Sequence, residues 1–393
     1  MLWFLFLYLI AFPFGQLASF QLFSSARIHL TDIFAGILVF AWLTDILWKH
    51  LPTKKSKKTQ KFEFARPLLS FLVISLFGLI LAGFEQSAKN LGVGFLYFAR
   101  LALYIALYFA VKHAVDGEEQ REKIRETILD SMVILGFFIS LMGIIGYFLY
   151  PDTKALSEYG WDNHYYRLIG PFLDPAFTGI IIVLSTIALW FKGWKKPGLQ
   201  ALAIVIFLVD WAAIALTYSR ASYVGLGAYL LLAFIIRRNI LVLVGVTLLL
   251  ISTYYLLPHP NQSAGTNLAR TSTITSRFDN YILAVKTGLE KPLFGIGYNL
   301  YKPKIQNEEK ITHSGSGIHS SLLFVFVTTG VLGLLAYLGF WARVIRFAWW
   351  NRESKFAGIL LCTCLALLGH SLFDNSLFYP WVMAWLAILL ALQ

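Results

Sequence analysis

Apolar residues run through this chain in long blocks, most of them near the ~20 residues that an α-helix needs to cross the ~30 Å hydrocarbon core of a bilayer. The blocks fall at 2–22, 29–48, 66–84, 93–111, 127–150, 176–191, 199–217, 221–236, 240–257, 320–341, 356–373 and 376–392. That pattern predicts an all-α polytopic membrane protein with about 12 transmembrane helices, forming a single transmembrane domain over residues 1–393. The polar stretches between blocks are short except for one, residues 258–319. Connections of that length are usually functional or disordered. Within this one, Phe278, Tyr281, Ile282, Val285 and Leu289 repeat at the spacing of one helix face, with Gly288 and then Pro292 as stop signals. The large loop is therefore expected to contain an amphipathic helix lying on the membrane surface.

Composition removes the soluble alternative. The chain is 58% hydrophobic and 14% charged, where a soluble domain carries roughly 25% charged residues. Its net charge of +12 does not call for nucleic acid, because more than half of the 33 basic residues sit in the connections at 54–61, 112–125, 192–196, 237–238 and 343–355. The positive-inside rule puts those five connections in the cytoplasm, with both termini. The loops at 23–28, 85–92, 151–175, 218–220, 258–319 and 374–380 then face the periplasm of a bacterial inner membrane. The N-terminus is apolar from Leu2, without a basic n-region or a clear small-x-small cleavage site, and reads as a first span rather than a cleaved signal. Cys362 and Cys364 fall inside an apolar block and read as reduced core residues.

Ionisable groups beside hydrocarbon are costly and call for partners, so the outer loops are where chemistry is sought. Arg220 stands in Leu216-Thr-Tyr-Ser-Arg-Ala221, a connection so short that two helices must meet tightly around it. An arginine there can simply snorkel to the interface. It can also grip a diphosphate with its planar fork, with Tyr218 and Ser219 as hydrogen-bonding neighbours. Arg167 and Arg277 fall on the same outer side. Either alone reads as surface charge, but three outer arginines at an acid-poor site suit an anionic lipid headgroup. Arg100 lies deeper, about a third of the way into its helix, where a buried ion pair or a snorkelling side chain competes with substrate contact.

Two histidines, His313 and His319, close the long loop. A neutral imidazole at a helix entrance can take a proton from an acceptor hydroxyl, or it can serve as an interfacial or capping group. No cysteine or acidic pair lies near them to complete a zinc site. The outer loops also lack the close carboxylate pair that a metal-bound nucleotide-sugar donor needs. Phe294-Gly-Ile-Gly-Tyr298 lacks the third glycine and the βαβ context of a dinucleotide loop and reads as a tight turn. His370 and Asp374, one helical turn apart, read as a structural polar pair.

Four stretches, taken in order, resemble the O-antigen ligase and O-antigen polymerase family of membrane glycosyltransferases. They are Arg167-Leu-Ile-Gly-Pro-Phe-Leu-Asp-Pro175; Leu216-Thr-Tyr-Ser-Arg-Ala221; Ser276-Arg-Phe with Pro292-Leu-Phe-Gly-Ile-Gly-Tyr298; and His319-Ser-Ser-Leu-Leu followed by Thr329-Gly-Val-Leu-Gly-Leu-Leu335. The resemblance spans residues 160–340. It implies a GT-C-like, inverting transferase that needs neither metal nor other cofactor. The implied donor is a glycan on a polyprenyl diphosphate such as undecaprenyl diphosphate, and the acceptor is lipid A-core for a ligase or another lipid-linked glycan for a polymerase. Arg220 and Arg277 are implied to hold the leaving diphosphate and His319 to position or deprotonate the acceptor hydroxyl. Arg167, Tyr218, His313 and Arg100 are the accompanying substrate-binding candidates. His313, beside the Ser314-Gly-Ser-Gly317 run, leaves open which imidazole acts, with His319 the favoured one.

A second class of function competes. A membrane transporter of a small anion or lipid-linked solute would rest on buried charges such as Asp210 and Arg100 and on spans broken at mid-membrane by Gly or Pro. A purely structural scaffold would leave the outer arginines without a purpose.

Overall fold

The computed structural model describes residues 1–23, 26–49, 62–194, 196–237, 240–258, 260, 263–307 and 317–393. Among these the chain forms α1 (Leu2–Ala11), a hairpin of β1 (Ser19–Phe23) and β2 (Ala26–His29), then α2 (Leu30–Lys49), α3 (Ala65–Ala82), α4 (Ala88–Asp116), α5 (Arg121–Leu149), α6 (Pro175–Lys192), α7 (Pro197–Leu216), α8 (Arg220–Arg237) and α9 (Ile240–Leu256). The polar α10 (Ser272–Glu290) and α11 (Tyr301–Asn307) follow, and α12 (Ser321–Trp350), α13 (Lys355–Ser371) and α14 (Pro380–Ala391) complete it. Each of the twelve apolar blocks carries one apolar helix. Seven, α2 to α7 and α12, are long and apolar enough to cross a membrane, and α1, α8, α13 and α14 are shorter apolar helices. The protein is an all-α, multi-pass membrane protein.

Three departures from the sequence pattern have local causes. The first block does not stay helical: α1 stops at Ala11, and Pro13 leads into a tighter turn that ends in the hairpin. Gly15 there has φ +54°, and a Cβ on it would lie 2.5 Å from the Pro171 carbonyl oxygen, so only glycine lets this turn sit against the loop before α6. Next, α4, α5 and α12 run well past their apolar blocks, which shrinks the connections expected at 112–125 and 343–355 to 117–120 and 351–354. Charged residues at these ends stay helical because they pair along the helix, as Lys112 does with Asp116 at 3.3 Å. Finally, α10 begins before residue 276 and passes through Gly288 to Glu290. Gly288 does not end the helix. A Cβ on it would lie 2.5 Å from the Phe326 ring, so its role is close helix contact, of the kind small residues serve in membranes. The expected apolar stripe of α10 points outward, with Phe278, Ile282 and Leu289 exposed, while Asn280, Ala284 and Thr287 are buried.

The two ends of the bundle differ. At one, Arg121 meets Asp116, Lys192 meets Asp130, Lys355 meets Glu126 and Arg343 meets Glu63, so much of the basic charge there is paired between helices. The basic run at 54–61 and Arg238 lie outside the described residues. Cys362 and Cys364 are fully buried in α13. At the centre, α6 packs on α5, α7, α8 and α13, and α13 also packs on α8. This arrangement brings the first residues of α6 and α8 and the last of α13 to one place at the opposite end.

The run Phe294-Gly-Ile-Gly-Tyr298 is a turn seated in a break of α12. Gly330 has φ 67° and ψ −170°, a conformation open essentially to glycine alone. The backbone groups freed by the break are taken up locally: Val331 N–H donates to Pro292 O at 2.8 Å, and Ile296 N–H donates to Val327 O at 3.0 Å.

Candidate active site

Loops that lie far apart in sequence meet around one open cavity of about 910 Å³. Arg167 comes from the loop before α6 and Asp174 caps that helix, its carboxylate accepting from Ala176 and Phe177 N–H at 2.7 and 2.9 Å. Arg220 opens α8. Arg270 precedes α10, and Arg277 lies in its second turn. His319 comes just before α12, and Asp374 follows α13. Four helices thus begin at this cavity, and the positive ends of their dipoles add to the arginine charge.

The arginines are held in unlike ways. Arg277 Nη2 is 3.3 Å from Asp374 Oδ2. The other three form no ion pair among the described residues and rest on neutral oxygens. Arg167 Nε donates to Thr217 O at 3.0 Å and Nη2 to Tyr218 O at 3.4 Å. Arg220 Nη1 donates to Arg270 O at 3.0 Å and Leu268 O at 3.5 Å, and Nη2 to Thr273 Oγ1. Arg270 donates to the carbonyls of Gly265 and Asn267. Burial and then the charges of Arg167, Arg220 and Arg277 pull the Arg270 guanidinium down to about 10, and burial lowers Arg167 as well. For Arg270 the neighbouring cations add to the effect of burial, whereas for Arg167 burial outweighs the nearby Asp174 and Asp374 carboxylates. The same crowding, after burial, brings His164 down to about 3, so this imidazole is neutral at ordinary pH.

His319 is fixed by two neighbours. Its backbone N–H donates to Asn280 Oδ1 at 3.0 Å, and Asn280 Nδ2 donates to Gly317 O at 2.9 Å, so one buried amide of α10 clamps the turn that carries the imidazole. Its Nδ1 lies 3.9 Å from Asp374 Oδ1, too long for a direct hydrogen bond but close enough for charge pairing. Burial would raise the Asp374 carboxyl, yet the approach of His319 and the charges of Arg277 and His370 outweigh it and hold the group below the usual carboxylate range. Asp174 moves the other way. Burial and then Asp374 push it up to about 6, against its backbone hydrogen bonds and Arg167.

Four of the seven residues singled out from sequence therefore meet in the cavity: Arg167, Arg220, Arg277 and His319. Tyr218 lies beside it, fully buried, with its hydroxyl donating to Pro258 O and its carbonyl accepting from Arg167 Nη2. Arg100 is elsewhere: it pairs with Asp32 at 2.8 Å in a separate cluster that Tyr104 joins. His313 lies outside the described residues. Asp374 N–H donates to His370 O at 3.2 Å, but their side chains share no hydrogen bond among the described residues. The carboxylate turns to Arg277 and His319, while His370 Nε2 lies 3.2 Å from Ala176 O. Arg270, Asn280 and Asp374 are the site residues to which the sequence alone gave no such role.

Residues 202–338, which include Arg220, Arg270, Arg277 and His319, match the family model described as O-antigen ligase. An O-antigen ligase of Pseudomonas aeruginosa is 26% identical to this chain over 251 residues, a match that covers 61% of the chain and 59% of that protein's length. Both matches are to O-antigen ligases, so the likeness to the O-antigen ligase and polymerase family seen in the sequence motifs recurs in each comparison.

Proposed function

We propose that this protein transfers a glycan from a polyprenyl-diphosphate-linked donor to an acceptor hydroxyl at the periplasmic face of the bacterial inner membrane, with inversion at the sugar and without a metal. The observation that carries this reading is the cavity itself: three guanidiniums that form no ion pair among the described residues, a fourth shared with Asp374, and an imidazole at their edge. A diphosphate leaves readily once its growing charge is neutralised, and preorganised guanidiniums do this with little reorganisation at the moment of reaction. Arg220 and Arg277 take the leaving diphosphate, with Arg167 and Arg270 behind them. His319 removes the acceptor proton as the hydroxyl attacks, and Asp374 stabilises the imidazolium that results. The acceptor is lipid A-core or another lipid-linked glycan. Both termini and the paired basic end lie in the cytoplasm, and residues 258–319 form the outer loop of a single transmembrane domain.

The break in α12 is the one feature that favours the transporter reading. Its freed backbone groups are closed by the 292–296 turn rather than offered to a solute path. The other supports of that reading are also inward-turned: Asp210 accepts from Ser140 Oγ at 2.7 Å, and Arg100 pairs with Asp32.

Among the described residues no group of three or more His, Cys, Asp or Glu is placed to hold a metal. Glycan transfer by the purified protein is expected to continue in excess EDTA. Turnover that stops on chelation and returns with Mg²⁺ would show that a metal, and not the arginines, neutralises the leaving group.

A further inference from the structure

An apolar pocket of about 480 Å³ lies between α7, α8 and α9. It is walled by Ile214 of α7, Leu226 of α8, Leu250 of α9, Leu257 just past its end, and Leu268 of the loop beyond. Its polar groups are already occupied. Trp211 Nε1 donates to Thr253 Oγ1 at 2.8 Å, tying α7 to α9, and the Tyr223 hydroxyl donates to Ala215 O at 2.6 Å. A polar ligand would find little to bind on these apolar walls. Hydrocarbon is the filling that suits it. Tyr254, half exposed at 51%, marks where the pocket meets the outside of the bundle.

The pocket shares a wall with the arginine cavity. Leu268 lines the pocket, and its carbonyl receives Arg220 Nη1, while Arg270, two residues on, lines the cavity. On α8, Arg220 faces the cavity and Tyr223, one turn later, lines the pocket. An anionic head beside Arg220 therefore has an apolar enclosure next to it. A second apolar cavity, lined by Phe71, Tyr337 and Phe378, approaches the site only through the turn that follows Asp374.

We propose that the pocket between α7, α8 and α9 holds the first isoprene units of the donor's prenyl chain while Arg220 holds its diphosphate. This rests on the transferase reading above. The full-length protein in phospholipid nanodiscs is exposed to a prenyl diphosphate bearing a diazirine on its early isoprene units, and the labelled peptides are mapped. Labelling is expected on α8 and α9, around Leu226, Leu250 and Tyr254, and is expected to fade with unlabelled prenyl diphosphate but not with phospholipid. Labelling confined to α3, α4 and α14, or spread evenly over the lipid-facing helices, overturns the proposal. A kinetic arm compares long- and short-prenyl donors. Leu250→Trp, at a half-buried wall position, is expected to raise KM roughly tenfold for both donors, since each places its first isoprene units in the pocket, and to leave kcat nearly unchanged; an unchanged KM, or a change confined to the long-chain donor, overturns the assignment. If neither donor turns over in the wild-type protein, the transferase reading fails, and the labelling pattern still decides the pocket.

Discussion

Replacing His319 with alanine is expected to lower turnover by roughly 10²–10⁴-fold while leaving binding of the lipid diphosphate nearly unchanged. The structure separates these two quantities. The imidazole faces Asp374 and is carried by a turn that Asn280 clamps through backbone atoms, which the substitution does not remove. The three guanidiniums that form no ion pair among the described residues are held by backbone carbonyls away from His319. The His319→Ala protein should thus keep its anion site and lose only the proton acceptor. The measurement is donor affinity and product formation on the same purified variant. Loss of donor binding in step with turnover would move His319 from base to binding group.

Arg220→Lys is expected to cost tenfold or more in turnover, although it keeps the charge. Arginine has five N–H donors. Among the described residues, Arg220 spends three of its donor contacts on Leu268 O, Arg270 O and Thr273 Oγ1. It thereby pins the segment that brings Arg270 to the cavity and still presents a free edge to an anion. A lysine ammonium is a compact charge on a flexible stem and cannot hold that segment and grip a diphosphate together. The variant should show weaker donor binding as well as slower turnover, unlike His319→Ala. An Arg220→Lys protein with full activity would leave the arginine as a loop anchor only, and Arg167 would become the leading candidate for the diphosphate.

The contrast between these residues shows what the sequence makes legible. Apolar blocks separated by basic connections announce a polytopic helical protein because the bilayer demands continuous apolar helices. Arg220 stands out for a similar reason, since charge in a two-helix corner is costly without a purpose. Asp374 does not stand out, because its partner Arg277 lies 97 residues earlier and no local periodicity joins them. Arg270 looks like one more loop cation until Arg220 is seen to bind its carbonyl. Asn280 reads as a polar position on a surface helix, yet it is 4% exposed and fixes the His319 turn. Arg100 errs in the other direction: a buried arginine signals a partner, and here the partner is Asp32 rather than a substrate. Local chemistry marks groups that need partners, and only the fold decides which partner answers.

The central claim is that one cavity breaks the donor's sugar–phosphate bond and passes the glycan to an acceptor hydroxyl. It is tested most directly by purified protein in liposomes holding a prenyl-diphosphate-linked glycan and a hydroxyl acceptor, with released prenyl diphosphate and glycosylated acceptor counted in the same samples. The account predicts that the two products rise together, one for one, and that both fall in the His319→Ala protein. Movement of the lipid-linked glycan or of a small anion across the bilayer, with no prenyl diphosphate released, would contradict it.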